Sequence, residues 1–452
     1  VTALARYRPG VDGPFGADEV RHLFRRGGFG LPWDECDELA RRGLDAALES
    51  LCATDEGRDA AATARSADAV AAGADTGEKS LGEPLRKLRA LVLLRMAQTR
   101  APLREKLALF WHGHFATSVE KVQDLRLVWR QWRLFRDEGA GKFRALLQDV
   151  SRDPAMLVWL DSNSNERLRP NENYARELME LFSLGVGHYG EDDVKEAARA
   201  FTGWHVRRNE FWLDANEHDV GAKKVLGKSG PFDGGDVVDL CVDHPACAAF
   251  LARKLLRFYV HPDPSDAAVE EVARVLREEE LAIGATLERL LASQLFFSAA
   301  ARAALIPSPV EHCVATLRAV GATASWSELG ETAAQMGQAL FAPPNVKGWD
   351  GQMAWINTRT LLERGRFAEA VAFGGGALNV RVDWKGVVGR AFGGDGAALA
   401  DRMAALLLGV APGAASTASL REFAASSAAG EGEARARGVA HLVLGCPEAN
   451  VH

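Results

Sequence analysis

A chain of 452 residues exceeds the usual size of one compact core, so it predicts two lobes or one large helical unit. Its 47% hydrophobic and 25% charged residues match water-soluble globular proteins, and a net charge of −7 argues against nucleic acid or anionic membrane as a partner. No run of about 18 apolar residues is present, which argues against a helical membrane span.

Val1 to Gly10 contains no apolar signal core, which points to the cytoplasm, with export after leader removal as the alternative. Six cysteines are scattered without a CxxC pair and read as free or buried thiols. Cys241-x2-His244-x2-Cys247 has metal-like spacing. However, Pro245 opens a helix inside it, and a structural zinc site needs a fourth ligand.

In order, the chain reads as a succession of helices, and the predicted fold is mainly α. Asp18 to Arg26 is a short helix closed by Gly27-Gly28, and Pro32 opens a second that ends at Gly43. Residues 53–80 are rich in Ala, Asp and Gly and predict a mobile insertion or linker. Leu85, Leu88, Leu91 and Val92 have helical spacing, and Pro102 starts the next helix. That helix runs into Phe110-Trp111-His112-Gly113-His114-Phe115. If it stays helical, His114 shares a buried face with Leu103, Leu107, Phe110 and Trp111, while His112 points nearly opposite. If Gly113 breaks it, the two imidazoles converge as a ligand pair. The simplest expectation is one buried histidine and one exposed.

Residues 121–136 form an amphipathic helix whose arginines make a solvated face. In the loop 161–172, oxygen-bearing side chains stand at positions 1, 3, 5 and 12 counted from Asp161, as in a calcium loop ending on Glu172. Glu166 occupies the position where such a loop wants glycine, and Arg167 and Arg169 add positive charge. Asn171 then caps a helix in which Tyr174, Leu178, Leu181 and Phe182 share one arc. Asn173, Glu177 and Glu180 form a separate strip. Glu177 borders the apolar arc, so it is expected to be largely buried and to need a partner from outside the helix. Arg199 and the two histidines are the candidates.

A helix over 191–201 follows, then short strands near 211–213 and 224–226, placing minor β content around residues 205–230. Gly227-Lys228-Ser229 is not a phosphate loop, because Ala222 stands where the first glycine belongs and Gly230-Pro231 where a helix must begin. Helices resume at 245–259, 264–279, 283–295 and 308–320, and a turn-rich stretch covers 342–351. Residues 1–370 thus make a helical core, and 371–452 a less tightly packed C-terminal helical portion of the same unit. Residues 110–118, 171–180, 199–204 and 343–357 carry polar groups among large apolar neighbours and are expected to line one common cleft.

Four segments, 105–118, 171–187, 193–204 and 343–349, resemble hallmarks of a bacterial family catalogued as domain of unknown function eighteen hundred. The resemblance runs from His22-Leu23-Phe24-Arg25-Arg26 to Gly445-Cys446-Pro447-Glu448 and carries no reaction with it. It implies relatives that are often exported, and a possible protein partner from a neighbouring family with a sulfatase- or phosphatase-like fold.

Three function classes fit these residues. The first is a metal-assisted hydrolase in which His112, His114 and Glu177 hold a divalent Zn, Mn or Fe, and Asp161 and Glu172 offer further oxygen ligands. Glu177, Glu180 and Arg199 are its catalytic candidates, with His218-Asp219 as an additional ligand or orienting pair. The second is a non-catalytic structural or partner-binding protein. The third is glycan binding through Trp204, Trp349 and Trp355 beside Asp350 and Asn357. Neither GxSxG nor HExxH is present.

Overall fold

The computed structural model describes residues 4–74, 81–389, 392 and 395–452. Helices dominate it, and strand is confined to two antiparallel hairpins between residues 204 and 230, as the helical spacings predict. Trp204–Arg207 pairs with Glu210–Leu213, with Trp204 opposite Leu213. Lys223–Val225 pairs with Lys228–Gly230. Among the described residues, no helix is long and apolar enough to cross a membrane.

One apolar core runs from Tyr7 to Ala449. Its centre is the helix Pro102–His114, where only Arg104 and Gly113 escape full burial. Apolar and polar side chains alternate around this helix, so it has no single wet face and must be covered on every side. Leu125–Glu138 packs along one side, and Ala17–Gly27 and Gly82–Gln98 along others. Trp111, Phe115, Phe135 and Phe143 stack at the junction, each such buried side chain contributing about 1.5–3 kcal/mol.

The stretch 53–80, expected as a mobile insertion, holds the helix Arg58–Gly73. Its small residues are the reason: Ala60, Ala67 and Ala71 lie flat against Gly82–Gln98, burying one face without large side chains. Residues 75–80 lie outside the described residues. The C-terminal helices Gly396–Leu407, Ala414–Ala425 and Gly432–Gly445 pack on one another and on Thr358–Phe373, and Leu399, Met403 and Val443 join the same core.

Two buried charge networks hold the central helix. Glu105 Oε1 lies 2.9 Å from Arg95 Nε and accepts from Arg136 Nε at 2.7 Å, and Glu56 bridges the same two guanidinium groups. At the next position, Lys106 is fully buried against Glu311 and donates to the carbonyls of Arg25 and Gly28 at 3.3 and 3.1 Å.

Candidate functional site

The helix Pro102–His114 continues through Gly113, and both motif histidines are buried, His112 at 3% and His114 at 5% exposure. The expectation of one exposed histidine fails because the loop 338–349 covers the second face. His112 points into that loop, touching Trp132, Phe341 and Trp349, and its Nε2 accepts the backbone N–H of Phe341 at 3.0 Å. Burial pushes its imidazole down to about 3, helped by Arg89, so it is neutral and structural.

His114 points elsewhere. Its Nε2 lies 3.1 Å from the carbonyl oxygen of Phe182. A carbonyl only accepts, so Nε2 carries the proton and Nδ1 presents a lone pair. That Nδ1 is buried and has no hydrogen-bond partner among the described residues. Burial, and then Lys254, hold the imidazole well below its usual range, so it stays neutral.

The backbone explains why Phe182 is available. The helix Asn173–Glu177 widens into a π-helix over Leu178–Ser183, with the N–H of Leu184 donating to Met179 O at 3.0 Å. The extra residue per turn shifts the faces read from a regular helix. Ser183 becomes fully buried, with its hydroxyl on Leu178 O at 2.6 Å, while Leu181 is only half-buried.

His114 lines a cleft of about 490 Å³ between Pro102–His114, Pro245–Tyr259 and the turn-rich stretch around Lys347–Trp355. Phe110, Phe258, Trp349 and Trp355 supply its apolar walls. Its polar groups are mostly donors. Gln338 and Gln352 each have the side-chain oxygen fixed by a backbone N–H, of Val310 and Ile306, both at 3.0 Å, leaving the NH₂ end for a ligand. Glu311 is occupied by Lys106 and by Ser308 N at 2.7 Å, and Asp350 accepts from Lys347 at 2.8 Å. Lys254 and Arg257 have no carboxylate partner among the described residues. Burial, and then Arg257 and Lys347, lower the Lys254 ammonium from its usual value. A second hollow of about 780 Å³ beside Leu125–Glu138 differs in this respect. There Arg126, Arg130 and Arg133 are neutralised by Asp124, Glu210 and Asp68.

The motif segments expected to share one cleft form two adjoining centres. Residues 110–114 and 347–355 meet at the cleft, and residues 165–174 and 198–219 meet around Asn165. Asn165 is 2% exposed; it donates to Ala198 O at 3.1 Å, accepts from Asn171 N at 2.8 Å, and its carbonyl takes Gly203 N at 2.9 Å. Tyr174 stacks edge-on with Phe201 there, and its hydroxyl donates to Ser151 Oγ at 2.6 Å. Trp204 packs on Phe201 and Phe211 in this second centre, so it shares no platform with Trp349 and Trp355.

The other expected site residues have separate partners. Arg199 pairs with Asp219 and Glu196, both at 2.8 Å, and does not serve Glu177. His218 Nδ1 lies 2.8 Å from Thr202 O. Of the calcium-like oxygens, Asp161 takes Lys121 at 2.7 Å, Asn163 takes Val206 N at 2.7 Å, and Glu172 takes Arg176 at 3.0 Å. Cys241 and Cys247 are buried, each thiol pushed up to about 12 by burial, and His244 caps its own helix through Ala246 N. Among the described residues, no three His, Cys, Asp or Glu side chains converge as a metal set.

Glu177, expected to be buried and matched, is half-buried and has no ion pair or hydrogen bond among the described residues. Glu180, on the same strip, accepts from the Tyr189 hydroxyl at 2.9 Å. Burial, and then Glu180, raise the Glu177 carboxyl above its usual value. A raised folded-state value means stability present at low pH that is lost as pH rises through it. Glu177→Gln is therefore expected to unfold no earlier than wild type at pH 7 and to remove that part of the pH dependence. Thermal melts of both proteins between pH 4 and 8 provide the check, and a Glu177→Gln protein that melts well below wild type would restore a bonded role for the carboxylate.

The residues missed in the sequence are Lys106, Glu311, Lys254 and Arg257. Lys106 left a signal, since it lies three residues after Leu103 and four before Phe110, on a face otherwise apolar. Lys254 and Arg257 left none: one turn apart on an amphipathic helix, they resemble any solvated pair.

A family model described as a protein of unknown function (DUF1800) matches residues 22–451. No curated protein and no solved structure matches the chain. With nearly the whole chain inside that model, the protein belongs to the DUF1800 family.

Proposed function

We propose that the protein is an enzyme acting in the cleft beside Pro102–His114, with His114 Nδ1 as the general base that takes a proton from water or from a ligand hydroxyl. The supporting observation is the buried lone pair of Nδ1, on a ring fixed by Phe182 O and lining the cleft without a partner. Buried polar atoms are nearly always bonded, and exceptions concentrate at functional sites. The carbonyl sets the tautomer from behind, as an orienting group does for a catalytic histidine. Apolar walls from Phe110, Phe258, Trp349 and Trp355 limit water and leave room for an organic ligand.

In this reading the carboxylates Glu177 and Glu180 play no part in the proton transfer. Arg199 shapes the second centre through Asp219 and Glu196. The test compares wild type with His114→Asn on a panel of carboxylic and phosphoric esters. Asparagine lacks the basic lone pair and its shorter amide leaves Phe182 O without the Nε2 donor, so turnover should fall about 10²–10⁴-fold, with the unfolding transition measured alongside to check the fold. Equal turnover by the two proteins would overturn the reading. So would imidazole ¹⁵N resonances that place the His114 proton on Nδ1.

A further inference from the structure

We propose that Lys254 and Arg257 form a subsite for a doubly charged phosphate monoester group on the ligand, with Lys347 closing it from the opposite side. This rests on the reading of the cleft as a ligand site. The argument is a charge count over the groups that face the cleft. Lys106 neutralises Glu311, and Lys347 is paired with Asp350, so both of those pairs sum to zero. Lys254 and Arg257 remain, one turn apart on Pro245–Tyr259, with no anion among the described residues.

Two like charges held together beside apolar walls repel each other, and a bound dianion relieves both. Lys254 is half-buried, with its ammonium 5.4 Å from the centre of the Phe250 ring, and it lies close enough to His114 to depress that imidazole. The free NH₂ ends of Gln338 and Gln352 add neutral donors suited to phosphate oxygens. His114 Nδ1 is a buried acceptor without a partner among the described residues, which calls for a hydroxyl or water on the same ligand. A hydroxyl-bearing phosphate monoester satisfies both demands. A carboxylate or sulfate ester, each with a single charge, would leave one cation unmatched.

The test titrates the protein by calorimetry at pH 8, where a phosphate monoester is fully dianionic, with methyl phosphate, methyl sulfate and acetate as probes. Methyl phosphate should bind at least about tenfold more tightly than either singly charged probe. Arg257→Gln changes an exposed side chain and should preserve the fold while weakening methyl phosphate about tenfold. Lys254→Met keeps the stem length and should do the same, with its unfolding transition measured alongside. His114→Asn should leave methyl phosphate binding unchanged. Loss of turnover in His114→Asn with methyl phosphate binding intact in all four proteins would overturn the subsite and leave the general base standing. Binding that depends on Lys254 and Arg257, with turnover indifferent to His114, would uphold the subsite and overturn the base. Equal affinity for the three probes would also overturn the subsite.

Discussion

Lys106→Met is expected to lower the unfolding free energy by about 3–5 kcal/mol, because it strands a buried carboxylate. Lys106 is 0% exposed and Glu311 8%, and the pair ties the central helix to Pro309–Ala319. Methionine fills much of the same volume, so the loss reflects charge more than cavity. Burial pushes the Glu311 carboxyl up, but Lys106 and the Ser308 groups outweigh it and leave it below the usual carboxylate value. A depressed folded-state value means stability present above the ordinary carboxylate range and lost as pH falls through the depressed one. Glu311→Gln should flatten that acid limb. The double change Lys106→Met with Glu311→Gln should recover most of the loss, since removing both charges leaves neither uncompensated. Denaturant unfolding of the three variants at pH 7 measures this. A Lys106→Met loss below about 1 kcal/mol would mean that Glu311 takes up a proton when its partner goes.

The second large effect belongs to Gly348. Its φ is +83°, and an added Cβ would lie 2.3 Å from Gly113 O, a backbone atom that cannot swing aside. Gly348→Ala combines left-handed strain of about 1–2 kcal/mol with an overpacking cost of about 1–3 kcal/mol. Gly187, with φ +92° and open space around its Cβ, isolates the first contribution, so Gly187→Ala should cost only about 1–2 kcal/mol. The Gly348 change should also be felt in the cleft. Lys347 and Trp349 flank the glycine, and Trp349 packs on His112, so displacing the turn moves a cation and an aromatic wall together. Methyl phosphate binding should therefore weaken in Gly348→Ala and not in Gly187→Ala. Unfolding curves and calorimetry on the two variants decide it, and equal melting of the two would show that the turn yields to the added Cβ without an overpacking cost.

The sequence by itself determined the helical class, the positions of most helices and the short β segment. These follow from local periodicity, proline starts and glycine stops, which act within a few residues. It also marked the segments that matter, because histidines and asparagines among large apolar residues need partners wherever they fold. The tertiary structure decided which partners they found. His112 and His114 lie on one helix two residues apart, yet they face different neighbours, so one is closed by Phe341 and the other opens on the cleft. The π-turn at Leu178–Ser183 rotated the faces that a regular helix would present beyond Glu177, burying Ser183, half-exposing Leu181 and bringing Phe182 O to His114. Lys254 and Arg257 became site candidates only when Glu311 and Asp350 were seen to be occupied by other cations. Charge balance across the cleft is a sum over residues spread from Lys106 to Asp350, and no local pattern encodes that sum.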